Sequence, residues 1–269
     1  MKLSISNIAW NNSEDEKILR LLPNYGFLAI EIAPTKVWKN LEKLQKSEVV
    51  DYKNFWNKHG VKIIAFQSLL YGKNEFNIFY LDKRSELLAY LEKVLWIGNI
   101  LGIKTAVFGS PKNRIKKGLS QSEAEKIALD FFNELAEIGK KYKIKIAIEP
   151  NPKEYGADFL LNTVEVLNFV KKINHPFVQL NLDTGILTLN NEKIEQSIKQ
   201  AFPFLAHFHI SEPYLDLVNE SGNIAHNKIA KILKKLKYKN YCSIEMKAFS
   251  SNNLRNIKRS LSFVSKIYG

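Results

Sequence analysis

Residues 143–152 read KIKIAIEPNP, and the rest of the chain repeats the design of that run. A β-strand turns successive side chains to opposite faces. Ile144, Ile146 and Ile148 therefore share one face, while Glu149 points the other way at the strand's end. Pro150 and Pro152 stop further pairing. Later runs carry the same alternation and the same polar ending. In residues 177–185, FVQLNLDTG, Val178, Leu180 and Leu182 alternate with Gln179, Asn181 and Asp183. In residues 204–210, FLAHFHI, Ala206, Phe208 and Ile210 alternate with Leu205, His207 and His209. In residues 241–246, YCSIEM, Cys242, Ile244 and Met246 alternate with Tyr241, Ser243 and Glu245. Glu149, Asp183, His209 and Glu245 thus end four successive strands on the less apolar face.

Working outward, strand-like and helix-like stretches alternate through the chain. Residues 3–8 read as the first strand, and Ser13 with Glu16 as a capping box opening the helix that follows. Residues 84–101 read as a long helix closed by Gly102. Ser120 with Glu123 opens a helix running to residue 142, and residues 163–173 form another. Strands end at 31, 67, 108, 149, 183, 209 and 245, which is the cadence of a (β/α)₈ barrel filling residues 1–269 as one domain. A doubly wound open sheet competes. Convergence of the polar strand ends favours closure, because a closed barrel gathers them at one mouth.

Composition narrows the class. The chain has 269 residues, 45% hydrophobic, enough for a large core. It has one cysteine, Cys242, so no intrachain disulfide forms, and a reducing compartment suits it. No apolar run approaches the roughly 20 residues of a membrane span. These features predict a cytoplasmic protein without a membrane partner. Its net charge of +13 comes from 40 Lys and Arg against 27 Asp and Glu. The lysines scatter over helix-like segments, as at Lys231, Lys234, Lys235 and Lys237, and read as solvated faces. They do not predict a nucleic-acid partner.

Three carboxylates and an imidazole make a donor set for a divalent cation. Mn²⁺, Mg²⁺ or Co²⁺ suits it best, and Zn²⁺ or Fe²⁺ also fits. Such an ion polarises a carbonyl, and a carboxylate beside it can carry a proton. The runs IEPNP, NLDTG, HFHISEP and SIEMK, holding Glu149, Asp183, His209 and Glu245, resemble the sugar phosphate isomerase/epimerase group of xylose isomerase-like TIM barrels. Ketose 3-epimerases and inosose dehydratases belong to that group. The resemblance covers the whole chain and is strongest from Glu149 onward. It implies one Mn²⁺-like ion held by Glu149, Asp183, His209 and Glu245, with Glu149 and Glu245 also moving protons on opposite faces of a sugar. It implies sugar-hydroxyl contacts from His207 and Glu212, and it extends the family's frequent dimerisation to this chain as a homodimer. The group's ketose epimerases carry a histidine three residues after the Asp and an arginine about six after the metal histidine; Ile186 and Leu215 stand there.

Further candidates are Glu31 and Gln67 at the ends of strands two and three, and Glu154 in the loop KEYGADF, each a contact for substrate hydroxyls. Trp10, Tyr71 and Phe108 offer either an apolar wall for a sugar or the ordinary packing of aromatic residues near barrel ends. Lys112 and Arg114 in GSPKNR serve either a phosphate or only a basic loop. The expected function is a metal-dependent sugar isomerase or epimerase acting alpha to a carbonyl through an enediolate, on a sugar or sugar phosphate. A dehydratase with the same first step, an abasic-site endonuclease on the related barrel and a non-catalytic sugar-binding barrel are the competitors. The endonuclease pattern demands more histidines than the five present.

Overall fold

The computed structural model describes residues 1–219 and 222–269. Among these, eight parallel strands pair in sequence order and close on themselves. They are β1 (Lys2–Ser6), β2 (Ala29–Ile32), β3 (Lys62–Phe66), β4 (Thr105–Phe108), β5 (Lys145–Ile148), β6 (Val178–Asp183), β7 (Leu205–Ile210) and β8 (Tyr241–Ile244). The β1–β8 pairing, Leu3 opposite Cys242 and Ile5 opposite Ile244, completes the barrel. The main helices are Asp15–Leu21, Lys46–Asn57, Arg84–Leu101, Gln121–Tyr142, Thr163–Ile173, Ile194–Ala201, His226–Lys235 and Asn253–Tyr268, one after each strand.

The isoleucines around β5 pack outward, as their parity predicts. The helix Gln121–Tyr142 comes so close that a Cβ on Gly139 would lie 2.7 Å from the Ile144 carbonyl oxygen and 3.6 Å from Ile146 Cγ1. Only glycine allows that approach, so the helix seats directly on the chain entering β5. Outside β4 and β5, an edge-to-face series runs through Phe108, Phe132, Phe169 and Phe159, with ring centroids 5.1 to 5.9 Å apart. Such pairs add roughly 0.5–1.5 kcal/mol each beyond their buried area. Phe108 is therefore spent on the outer core and does not face a ligand.

Helix starts follow local chemistry. Ser120 Oγ accepts from Glu123 N while the Glu123 carboxylate accepts from Ser120 N, the capping box expected there. At the amino terminus the box is two residues earlier than the expected Ser13 with Glu16. Asn11 and Glu14 form it, ahead of the helix Asp15–Leu21.

The barrel interior is not uniformly apolar. Ser4, Ser6, Glu31, Asn181, Asp183, His207, His209 and Ser243 are all buried on the strands. Register levels them: Ser6 lies opposite Glu31, Asp183 opposite His209, and His209 opposite Ser243. Register shifts occur between Ile30 and Glu31 and between Leu180 and Asn181, next to these polar residues.

Candidate metal centre

Glu149 is the first residue beyond β5, and its surroundings are shaped around it. Its backbone carbonyl accepts from Arg114 Nη2 at 2.8 Å, and its Oε1 accepts from Asn181 Nδ2 at 2.7 Å. A Cβ on Gly109 would lie 2.6 Å from Glu149 Oε2, so this glycine leaves the space the carboxylate occupies. Burial lowers the Arg114 guanidinium to about 10, with Glu149 and Glu165 opposing. Arg114, one of two candidate phosphate contacts, is thus buried behind Glu149.

Asp183 closes β6 and caps the short helix Thr184–Leu189. Its Oδ1 accepts from Ile186 N at 2.7 Å and from Ser211 Oγ at 2.6 Å. These bonds fix the carboxylate, yet its Oδ2 is buried with no hydrogen-bond partner. His209 Nδ1 lies 3.0 Å from Glu149 Oε1, 3.1 Å from Glu245 Oε2 and 4.0 Å from Asp183 Oδ2. Glu245 is the first residue after β8, held by its own N–H to the Ile210 carbonyl at 3.0 Å. One donor atom from each of the four residues lies within 4.8 Å of all the others.

The electrostatics of this group call for a cation. Burial, then repulsion from Glu149 and Glu245, pushes the Asp183 carboxyl up to about 7. Burial also raises Glu245, with Glu149 and Glu31 adding to it and His209 opposing. Burial would pull the His209 imidazole down, but Glu245 and Glu31 outweigh it and hold it well above its usual value. Converging buried carboxylates are costly unless a positive charge joins them. A divalent ion with ligand bonds of about 2.0–2.2 Å fits between donors so spaced, and the orphaned Asp183 Oδ2 would gain a partner.

Above the cluster lies a cavity of about 350 Å³. Glu149, Asp183, His209 and Glu245 form one side of it with Gln67 and Asn151, and Val107, Pro111, Ile186 and Leu215 form an apolar side. Tyr155 and Tyr214 complete its rim: Tyr155 Oη accepts from Tyr214 N at 2.9 Å, and their rings meet edge to face at 6.1 Å. That contact ties the loop after β5 to the loop after β7.

The other predicted contacts fall elsewhere, Gln67 excepted. Gln67 lines the cavity and donates through Nε2 to Ser6 Oγ at 2.9 Å. Glu31 and His207 lie inside the barrel and are not in the cavity lining; the same holds for Trp10, Glu154 and Glu212. His207 Nε2 is 2.9 Å from Glu31 Oε2, and His209 Nε2 is 3.1 Å from Glu31 Oε1. Burial would raise the Glu31 carboxyl, but His209 and His207 outweigh it and hold it well below the usual carboxylate range. Trp10 is fully buried against Trp56, ring centroids 6.3 Å apart, and donates to Asp15 Oδ1 at 2.6 Å. Glu154 is exposed on a 3₁₀ turn. Glu212 is buried, its Oε1 accepting from His226 Nε2 at 3.0 Å. Sequence reasoning missed Arg114 as a support, Gly109, Ser211 and the tyrosine pair. Asn181 was legible, because it shares Asp183's parity one layer down.

The xylose isomerase-like TIM barrel model matches residues 19–267. The chain belongs to that family. Solved structures similar to it include a D-psicose 3-epimerase determined in the presence of D-fructose, at 18% identity and TM-score 0.83 over 100% of both chains. A D-psicose 3-epimerase with D-tagatose from Clostridium cellulolyticum H10 matches at 17% identity and TM-score 0.82, over 100% of this chain and 99% of that one. The IOLI protein with a bound zinc atom matches at 20% identity and TM-score 0.78, over 100% and 98%. At such identities these likenesses establish the family's barrel in this chain. No curated protein matches the sequence significantly.

Proposed function

We propose that this barrel is a divalent-metal-dependent isomerase or epimerase of a sugar or sugar derivative, transferring a proton at a carbon alpha to a carbonyl through an enediolate. The observation that carries the reading is the convergence of Glu149, Asp183, His209 and Glu245 within 4.8 Å along one side of the cavity at the barrel mouth. The names of similar structures, D-psicose 3-epimerase and L-ribulose 3-epimerase among them, support it.

The bound ion would polarise the substrate carbonyl and so acidify the neighbouring C–H. Glu149, Asp183, His209 and Glu245 would hold it; Mn²⁺ suits this donor set best, with Mg²⁺, Co²⁺, Zn²⁺ and Fe²⁺ as alternatives. Glu149 and Glu245 enter from β5 and β8, two strands that are not neighbours. Each can meet a substrate carbon from its own side, one carboxylate removing the proton and the other returning one. Asn181 keeps Glu149 Oε1 aimed at the cluster. Asp183, clamped by Ile186 N and Ser211 Oγ, has no free rotation and serves as a fixed ligand. Among the described residues no Lys or Arg lines the cavity. A phosphate would find no basic side chain there beside the ion, which favours an unphosphorylated sugar.

The test is metal analysis of the purified protein, followed by a panel of ketoses and their derivatives in heavy water read by NMR. The expected result is one ion per chain and deuterium entering the carbon beside a carbonyl. Exchange that persists undiminished in the metal-free protein would overturn the reading. Loss of water from the substrate in place of stereochemical change would move the assignment to a dehydratase.

A further inference from the structure

Glu31 is completely buried, on β2, three strands around the barrel from His207 and His209 on β7. Its two carboxylate oxygens are divided between the two imidazoles, Oε2 at 2.9 Å from His207 Nε2 and Oε1 at 3.1 Å from His209 Nε2. The rings stand at 89° to each other, centroids 5.1 Å apart, so each presents its Nε2 edge to a different oxygen. A carboxylate oxygen only accepts, which puts the ring proton of His209 on Nε2. Nδ1 meets Glu149 Oε1 at 3.0 Å and Glu245 Oε2 at 3.1 Å, oxygens that likewise only accept. With Nε2 committed to Glu31, Nδ1 is the nitrogen that would give up its proton and offer a lone pair to a cation. Because His207 takes the second oxygen, the carboxylate cannot turn away from His209.

We propose that Glu31, braced by His207, is the positioning residue of the metal centre: it selects the His209 tautomer and ring angle that offer Nδ1 to the cation. Glu31 and His207 therefore do not bind substrate hydroxyls. This inference rests on the metal-dependent reading above. The competing occupant is a second ion held by Glu31, His207 and His209, whose donor atoms also lie within 4.8 Å of one another. Glu31 is the single carboxylate of that group, is fully buried away from the cavity, and has both oxygens partnered. The other cluster has three carboxylates, lines the cavity and leaves Asp183 Oδ2 without a hydrogen-bond partner. These differences favour the support role.

Supports of this kind change metal affinity by about 10- to 100-fold when removed. Glu31→Gln keeps the volume but offers one acceptor and one NH₂, so only one of the two rings can keep its proton on Nε2. Titration with Co²⁺, followed by its visible spectrum and by calorimetry, should show one equivalent bound by the wild type and an affinity about 10- to 100-fold weaker in Glu31→Gln. Melting of the metal-free proteins reports on folding separately. His207→Asn, which loses only the brace, should weaken binding less. The wild type also gives a readout that needs no variant. With labelled histidine and NMR-active cadmium, coupling should appear at His209 Nδ1 and the proton at Nε2.

Undiminished Co²⁺ affinity in Glu31→Gln, cadmium coupling at Nε2, or a second equivalent of bound ion would each overturn the inference. A wild type that binds no Co²⁺ stoichiometrically overturns the proposed function itself, and this inference with it. Tight wild-type binding with an unaffected variant overturns the inference alone.

Discussion

The two ends of the barrel carry opposite chemistry on the same eight strands. At the carboxyl-terminal mouth, Glu149, Asp183 and Glu245 converge with His209, and no Lys or Arg lines the cavity among the described residues. At the amino-terminal mouth, Lys2, Lys104, Lys143 and Lys145 surround a second cavity with His207, Asn240 and Tyr241, and no carboxylate among the described residues lines it. Here the cations are solvated or locally occupied. Lys145 Nζ donates to Gln179 Oε1 at 3.0 Å, and Lys2 Nζ sits 5.4 Å from the Tyr241 ring centre. Strands of four to six residues separate the two ends, roughly 13–20 Å at about 3.3 Å per residue. At that distance the lysines stand in solvent, whose water and counterions weaken their pull on the opposite mouth. The net charge of +13 thus says little about what the mouth binds. Burial and mutual repulsion decide the carboxylates' behaviour.

The contrast can be broken most severely at the acidic end. Glu149→Gln or Glu245→Gln should lower turnover by about 10²–10⁴-fold, the usual share of a positioned acid–base group. The chain should still fold, since the amide keeps the side chain's shape; steady-state kinetics and circular dichroism check both. Turnover unchanged in both variants would remove proton transfer from this end of the barrel.

A smaller effect concerns the metal-free protein and pH. The folded-state pKa of Asp183 is raised from 3.8 to about 7, so the folded chain holds that proton more tightly than the unfolded chain does. Its contribution favours folding below 3.8 and is lost as pH rises through about 7. Glu245, raised from 4.5, acts in the same direction. Glu31, held low, acts oppositely, supporting the fold above 4.5 and losing that support in stronger acid. Between pH 4.5 and 7 the metal-free protein should therefore lose stability on the order of a few kcal/mol. Mn²⁺ should restore it, and Asp183→Asn should flatten the slope. Thermal melts across that range, with and without the ion, measure this. Metal-free stability that rises steadily over the same range would contradict the account.

The least effect belongs to the basic end. Lys104→Ala and Lys143→Ala should change stability by no more than about 0.5 kcal/mol, as exposed substitutions usually do. Metal affinity and turnover should be unaltered. A marked fall in Co²⁺ affinity in either variant would show that the two mouths communicate.

The parity of β5, β6, β7 and β8 made much of this visible in advance. A buried strand in a barrel has one face against helices and one inside, so Ile146 and Glu149 could be sorted by counting. Capping boxes such as Ser120 with Glu123 placed helix starts for the same reason: the chemistry is local. Glu31 and His207 show the limit. Both were correctly assigned to polar strand positions, yet they lie below the mouth and face each other. Trp10 looked like a sugar platform, but Trp56 and Asp15 had already claimed it. Arg114 looked like loop charge, but the loop buries it behind the Glu149 carbonyl.

The sequence by itself determined the order of strands and helices, the face each strand residue takes, and the kinds of donor available to a cation. A period of two residues is enough for that. Only the tertiary structure decided the height of each polar side chain along the barrel axis, and so which of them meet. Height depends on register between strands, including the shifts beside Glu31 and Asn181, and on loops from distant parts of the chain folding over one mouth. Neither leaves a periodic mark in the residues themselves, because both are set by how non-adjacent segments pack.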